Sequence, residues 1–449
     1  MTSRYASDPQ TPVYDVVGVG FGPANLALAI AIEEYNESAA PDDRLTAIFL
    51  EKQPVFGWHR GMLLEGATMQ VSFLKDLATM RNPTSRFGFV PYLQDRGRLV
   101  DFINHKVLFP SREEFHDYLG WCADGVDHMV NYGIEVSAVR PATGAGADAD
   151  GRIVEVDVTA LGAAGSGTAT YRARNLVLGT GLVPKLPDGI ESSERVWHSS
   201  EFLHRLDRFP EREPRRFVVV GAGQSAAEVA DHLHRTFAGA EVCAVLSRYG
   251  YSPADDSPYA NRFFDPEAVD LYHGADAAVR DRLMDYHRNT NYGVVDIDLI
   301  DELYRRSYQE KVRGEERLRI LNTSRVEGLD QDADGLGVHV RNQATGVTER
   351  LTADAIVYAT GYTEPDPRTL LGELSDACLR DGDGRLSIRR DYRVETDPSL
   401  EAAVYLQGGT EHTHGITGNL LSMAAVRAGE ICASLVARRT APEAAAALA

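Results

Sequence analysis

Cysteine is scarce and never paired in this sequence. The 4 cysteines, Cys122, Cys243, Cys378 and Cys432, stand far apart and form no C-x-x-C. That disfavours a dithiol that shuttles electrons and the common zinc-binding patterns, while scattered thiols fit a reducing cytosol. Long apolar runs are also missing. Nothing approaches the ~20 residues that span a bilayer, and MTSRYASDPQTPVYD has no apolar signal core. A soluble, cytoplasmic protein is expected. Basic residues fall short of acidic ones, 46 against 66, for a formal net charge of -20. Such a surface repels nucleic acid and anionic membranes, so neither is expected as a partner.

What is present is ordinary in bulk and distinctive in pattern. Of 449 residues, 43% are hydrophobic and 25% charged, enough for two or three domains with real cores. Two strand–glycine–helix units stand out. In YDVVGVGFGPANLALAIAIEEY a β-rich run meets Gly18-x-Gly20-x-Gly22-Pro23 and then an apolar helical pattern. Glycines let backbone N–H groups approach a pyrophosphate, and the helix dipole favours its charge. Pro23 replaces the third glycine and suits the first helical turn, where no N–H is missed. Glu51, at the end of FLE, is the expected ribose ligand. It comes later than the ~20 residues usual for the fold, a delay that the charged loop NESAAPDDR explains.

The second unit, RFVVVGAGQSAAEVADHLHRTF, carries Gly221-x-Gly223-x-x-Ala226, with Gln224 and Ser225 opening the helix. Its next strand ends in Ser247-Arg248, without an acid. A hydroxyl and a guanidinium suit a ribose 2′-phosphate, which favours NADPH over NADH. Two such units separated by a β-meander imply FAD on the first and NADPH on the second. Gly179-Thr180-Gly181 and Ala359-Thr360-Gly361-Tyr362 lie where such folds cross between domains, or are ordinary strand ends.

The expected fold class is α/β, with two Rossmann-like dinucleotide-binding domains and a small helical substrate-binding region. Residues 12–205 would form the first part of the FAD domain. Residues 206–365 would form the NADPH domain, including a helical substrate segment at 255–310. Residues 366–440 would line the substrate side and return to the FAD domain, and 441–449 would be a disordered tail. With no dithiol for disulfide reduction, flavin plus NADPH leaves electron transfer to a protein partner, or a monooxygenase.

Beyond the turns, the sequence resembles the microbial N-hydroxylating flavin monooxygenases of siderophore and hydroxamate biosynthesis, the L-ornithine N(5)- and L-lysine N(6)-monooxygenases. GVGFGPANLAL, WHRGM, MQVSFLKDLATMRNP, GAGQSAAE, DDSPYANRFFDP, RNTNYGVVD, ATGY and YLQGGTEHTHGI carry the resemblance, over roughly residues 12 to 435. MQVSFLKDLAT and NTNYGVV bring it nearer the ornithine branch. The resemblance implies that NADPH reduces FAD, that oxygen adds at the flavin 4a carbon as a hydroperoxide, and that the side-chain amine of L-ornithine takes up its distal oxygen. Water must be excluded, and an amine of pKa ~10.4 must be held neutral.

The same resemblance assigns roles to single residues. Lys75 sits in an apolar stretch, and lysine is almost never fully buried unless paired. Read alone it is a snorkelling or ion-paired lysine; the resemblance makes it the partner of the substrate α-carboxylate. Asn261 would contact the amino-acid head, and Asn291 the head group and the nicotinamide. Both are otherwise turn formers. Thr417 would lie near the reactive amine. Gln70 would lie by the flavin and its hydroperoxide, or be a polar residue at a helix start. Arg112 would sit at the nicotinamide end, or pair with Glu113 or another carboxylate. Ser225 would donate to NADPH phosphates, or be a plain N-cap. Trp58 and His59 would pack by the isoalloxazine. His412 and His414 lack a third ligand, so no metal is expected. The family often forms homo-tetramers. Two other readings stay open: an L-lysine or diamine N-monooxygenase, and a non-catalytic flavin-binding or electron-transfer protein.

Overall fold

A computed structural model describes residues 12–142, 146–148, 150–162, 167–209, 213–332 and 335–446. Its larger sheet has seven strands. Val130–Tyr132, Ala47–Glu51, Val13–Val19, Thr168–Leu178 and Ala403–Leu406 pair in parallel. Val156–Gly162 and Ile134–Pro141 continue the sheet as an antiparallel meander. The parallel strands are covered on both faces, which is why they read as unbroken apolar runs. Val16, Phe49, Val177 and Tyr405 face one core, with the helices Pro23–Ser38, Arg112–Gly125 and Ala424–Ala446. Val17, Leu50, Leu176 and Val404 face the other, under the meander and residues 371–400. This is the two-residue period of a strand. The chain thus rejoins the first sheet through Ala403–Leu406, late in the sequence.

The smaller sheet has five parallel strands in the order Leu318–Leu321, Glu241–Val245, Arg216–Val220, Ala355–Tyr358, Val196–His198. Helix Gln224–Thr236 packs on one face. The hairpins of Ser324–Asp332, Gly335–Asn342 and Thr348–Ala353 cover the other. Val196–His198 lies upstream of the expected boundary at 206, because its partner is Ile356–Tyr358 of the second sheet. Val183–Pro184 and Tyr362–Thr363 form a two-stranded crossing between the sheets.

Helices Pro258–Asn261, Pro266–Gly274 and Ala277–His287 form the expected helical region, followed by Ile297–Arg313. Tyr272 and Met284 pack there on Ile416. Residues 69–83 form a chain of turns, with no helix. Asp76, 1% exposed, organises them. Its Oδ1 accepts from the backbone of Ala78 and Thr79, at 2.9 and 2.6 Å. Its Oδ2 accepts from Phe89 N at 2.7 Å. The closing helix continues to Ala446, past the expected start of the tail at 441, and residues 447–449 lie outside the described residues.

Candidate active site

The first glycine turn is built for close approach. Gly20 has φ of 83°, and a Cβ there would run into the Gly179 carbonyl. Asn25, 1% exposed, donates to Val19 O and Gly20 O at 3.2 and 2.7 Å and holds the turn from below. Helix Pro23–Ser38 has Gly22 as N-cap, no side-chain cap and no acid in its first turn. Its first N–H groups are therefore free for an anion. Glu51 braces the turn: one oxygen accepts from Phe21 N at 2.7 Å, the other from Gln53 N at 2.8 Å. It is buried behind the turn.

In front of this turn opens a cleft of about 690 Å³. Gly22, Pro23, Trp58, His59, Thr180 and Tyr362 are among its walls. The first sheet and the crossing to the second therefore meet at one cavity, as expected for a site at the carboxyl ends of parallel strands. His59 has φ of 50° and stands edge-on to both Trp58 and Tyr362. Solvent reaches the residue, but the ring is hemmed in. Burial first, and the Arg112 guanidinium second, push its pKa down to about 4, so the imidazole is neutral at physiological pH. Tyr362 also packs against His198, whose Nε2 meets Gly361 O at 2.9 Å. The residues around this cleft fit a flavin dinucleotide: a phosphate-ready helix start at one end, a flat aromatic wall at the other.

The second turn repeats the geometry. Gly221 has φ of 144°, and a Cβ there would come within 2.5 Å of Ala359 O. Gly223 is the N-cap of helix Gln224–Thr236, without a side-chain cap. Ser225 is therefore not an N-cap; it is half-buried within the first turn. Gln224 ties its helix to the start of helix Ile297–Arg313: Nε2 donates to Glu228 at 2.9 Å, and Oε1 accepts from Asp296 N at 2.8 Å. Arg248 is exposed at the end of its strand and donates to Gly293 O at 2.8 Å.

Arg112 is ion-paired. Its guanidinium grips Glu228 with two bonds, at 2.9 and 2.8 Å, and donates to Met62 O at 2.9 Å. The carboxylate it meets comes from the second nucleotide helix instead of Glu113.

The substrate candidates do not line the 690 Å³ cleft. Lys75 is half-buried in the turns around Asp76, and among the described residues no carboxylate lies within ion-pair distance of its ammonium. Gln70 is exposed, on the loop pinned to the stretch before helix Arg112–Gly125 by Met69 N→Pro110 O at 2.8 Å. Asn261 ends a short helix, and its Nδ2 donates to Asp256 O at 2.7 Å and Ser257 O at 3.3 Å, leaving Oδ1 without a partner among the described residues. Asn291 is exposed. Thr417 is displaced from its expected role: it is 3% exposed, and its hydroxyl donates inward to His414 O at 2.9 Å. The 3-10 turn Ile416–Asn419 points it away from the cleft and brings Asn419 to the wall. His412 and His414 each meet a backbone carbonyl, Leu386 O at 2.8 Å and Arg390 O at 3.2 Å.

With this geometry in place, comparison with known proteins is decisive. The family model for L-lysine 6-monooxygenase/L-ornithine 5-monooxygenase matches residues 12–364. The chain belongs to this family. It is 41% identical over 409 residues to an L-ornithine N(5)-monooxygenase of Burkholderia cepacia, covering 90% of each chain. It is 37% identical over 428 residues to that of Pseudomonas aeruginosa, covering 94% of each. Among solved structures it is similar to an ornithine N-hydroxylase of Kutzneria sp. 744, described with reduced FAD, NADP+ and L-ornithine. The TM-score is 0.90 at 48% identity, over 95% of this chain and 100% of that one. An L-lysine 6-monooxygenase from Pseudomonas syringae gives 0.82 at 35% identity, over 95% and 99%.

For an N-monooxygenase of this family, several wall residues escaped the sequence reading. Glu364 accepts from Asn419 Nδ2 at 2.6 Å across the cleft rim. Gln407 donates to Ala24 O at 3.0 Å and receives Arg427 Nε at 2.8 Å. These contacts join residues far apart in the chain, and no local motif announces them.

Proposed function

We propose that this protein is an FAD- and NADPH-dependent N-hydroxylase of the side-chain amine of L-ornithine, working in hydroxamate siderophore or related natural-product biosynthesis. The observation that carries the reading is the 690 Å³ cleft, walled by a phosphate-ready glycine turn on one side and by the crossing to a second dinucleotide fold on the other. All four cysteines are buried and none lines it, which leaves disulfide reduction without a thiol.

When bound, FAD supplies the chemistry of accepting electrons from NADPH and activating molecular oxygen. The chain's residues do the rest. The turn at Gly18, Gly20, Gly22 and Pro23 holds phosphates, and Glu51 keeps that turn in shape. Trp58 and His59 wall the flavin ring, with His59 neutral. Gly221, Gly223, Gln224 and Ser225 hold the NADPH pyrophosphate, and Arg248 its 2′-phosphate. The unpaired ammonium of Lys75 meets the substrate carboxylate. The free Oδ1 of Asn261 accepts from the substrate α-ammonium, and the Asn291 amide can do either. Gln70, on the loop held by Met69 N→Pro110 O, would lie by the flavin. Burial of the substrate amine favours its neutral, nucleophilic form.

L-lysine and diamines remain the competing substrates, since one methylene is worth only ~1–3 kcal/mol in an apolar pocket. The relatives at 37–41% identity support ornithine. A non-catalytic or electron-transfer role has no observation in its favour. The reading also includes a cytoplasmic homo-oligomer, with a tetramer expected. Its support is the exposed stripe Tyr304, Tyr308 and Val312 on helix Ile297–Arg313. Among the described residues no helix is long and apolar enough to cross a membrane.

The test is product analysis with FAD, NADPH and oxygen, offering ornithine, lysine or putrescine. Hydroxyornithine near-stoichiometric with NADPH consumed is expected. Peroxide alone with all three amines would sink the reading.

A further inference from the structure

Arg427 is an uncompensated cation in the cleft wall. It is 2% exposed, one turn into the closing helix Ala424–Ala446, and lines the 690 Å³ cleft. Its partners are neutral dipoles: Gln407 Oε1 at 2.8 Å, Gly418 O at 2.8 Å and Thr417 O at 3.3 Å. The guanidinium lies over the Tyr392 ring, 6.0 Å from its centroid. Among the described residues Nη2 has no protein acceptor and no carboxylate pairs with it. The nearest acid along its own helix, Glu430, is spent on Arg390, at 2.8 and 2.9 Å. A buried charge without a counter-ion is costly unless something neutralises it.

The same contacts tie this cation to the cofactor turn. Gln407, which orients Arg427, donates to Ala24 O in the first turn of helix Pro23–Ser38. Leu420, Leu421 and Ala424, at the start of the closing helix, share the wall. We propose that Arg427 is the fixed positive charge that meets the negative charge of the flavin cofactor in this cleft. The inference rests on the reading of the cleft as the FAD site. FAD offers two such charges: its pyrophosphate, always present, and its ring, which becomes anionic on two-electron reduction.

The test uses the full-length protein stripped of FAD. Wild-type protein that does not rebind FAD would overturn the cofactor reading itself. Given rebinding, Arg427→Met is compared with wild type in two measurements. Fluorescence titration gives the FAD Kd, and a dye-coupled reductive titration gives the flavin midpoint potential. Contact with the pyrophosphate predicts at least a tenfold rise in Kd with the potential held. Contact with the reduced ring predicts at least a tenfold loss in relative affinity for reduced FAD, a fall of ~30 mV for a two-electron couple. Arg427→Lys should recover most of either change. If both quantities match wild type, Arg427 only clasps the 417–418 loop and the proposal is overturned.

Should Arg427→Met fail to fold, Arg390→Leu decides. It leaves Arg427 intact but frees Glu430 to neutralise it, and a threefold or larger change in Kd or relative affinity is expected. No change in either would refute the proposal.

Discussion

Arg112 and Glu228 form a two-pronged ion pair across the two halves of the molecule, at 2.9 and 2.8 Å, with both side chains mostly buried (13% and 6% exposed). One comes from the start of helix Arg112–Gly125 beside the first sheet, the other from the first turns of helix Gln224–Thr236 in the second. Gln224 extends the link to Asp296. The pair therefore sets the angle between the helix that would hold NADPH and the cleft that would hold the flavin. Glu228→Gln should lower stability by about 3–5 kcal/mol, the cost of stranding one buried partner. It should also slow flavin reduction at saturating NADPH. Stopped-flow absorbance at 450 nm, alongside thermal unfolding of the FAD-loaded protein, checks both. Stability lost with reduction unchanged would make the pair a brace only.

Lys75→Ala should raise the KM for ornithine and leave flavin reduction by NADPH near normal. The lost charge-assisted contact is worth about 2–5 kcal/mol, so at least a tenfold rise is expected. An unchanged KM would return Lys75 to the role of a structural lysine.

Arg248→Ala should weaken NADPH more than NADH, because only NADPH carries the 2′-phosphate. The guanidinium is exposed and anchored by Gly293 O alone among the described residues, so it is free to receive that anion. Kd values for both nucleotides, measured by titration, check this. Equal losses for the two would remove the assignment.

Stability should fall as pH drops below about 6.5, partly through His414. This ring has no exposed surface, and burial pushes its pKa from 6.5 down to about 3. Between those values the unfolded chain binds a proton that the folded chain refuses. Stability from this group is thus complete above the unfolded pKa and is lost as pH falls toward the folded one. His414→Asn should begin less stable, having lost the stack on Tyr392, and should show a shallower decline in Tm between pH 6.5 and 4. Parallel declines in the two proteins would count against His414 as the source.

Much of the scaffold could be read from the chain because its determinants are local. Gly20 and Gly221 demand backbone conformations and close approaches that side chains forbid, so their spacing marks both turns. The stretch around Lys75 was different. Its pattern looked like a buried segment opening a helix, yet Asp76 draws four donors into a run of turns. Thr417 was misplaced for a related reason: one 3-10 turn decides which of Thr417 and Asn419 faces the cleft.

The sequence by itself determined the two dinucleotide units, the missing C-x-x-C and the acidic net charge, because glycine geometry, thiol spacing and residue composition need no tertiary contact to act. Only the tertiary structure decided which charges are spent and which are left over. Arg112 finds Glu228 across the halves and Glu430 takes Arg390, while Lys75 and Arg427 keep no carboxylate among the described residues. A charge acts over a few ångströms of space, and the folded chain, more than residue order, sets which groups come that close.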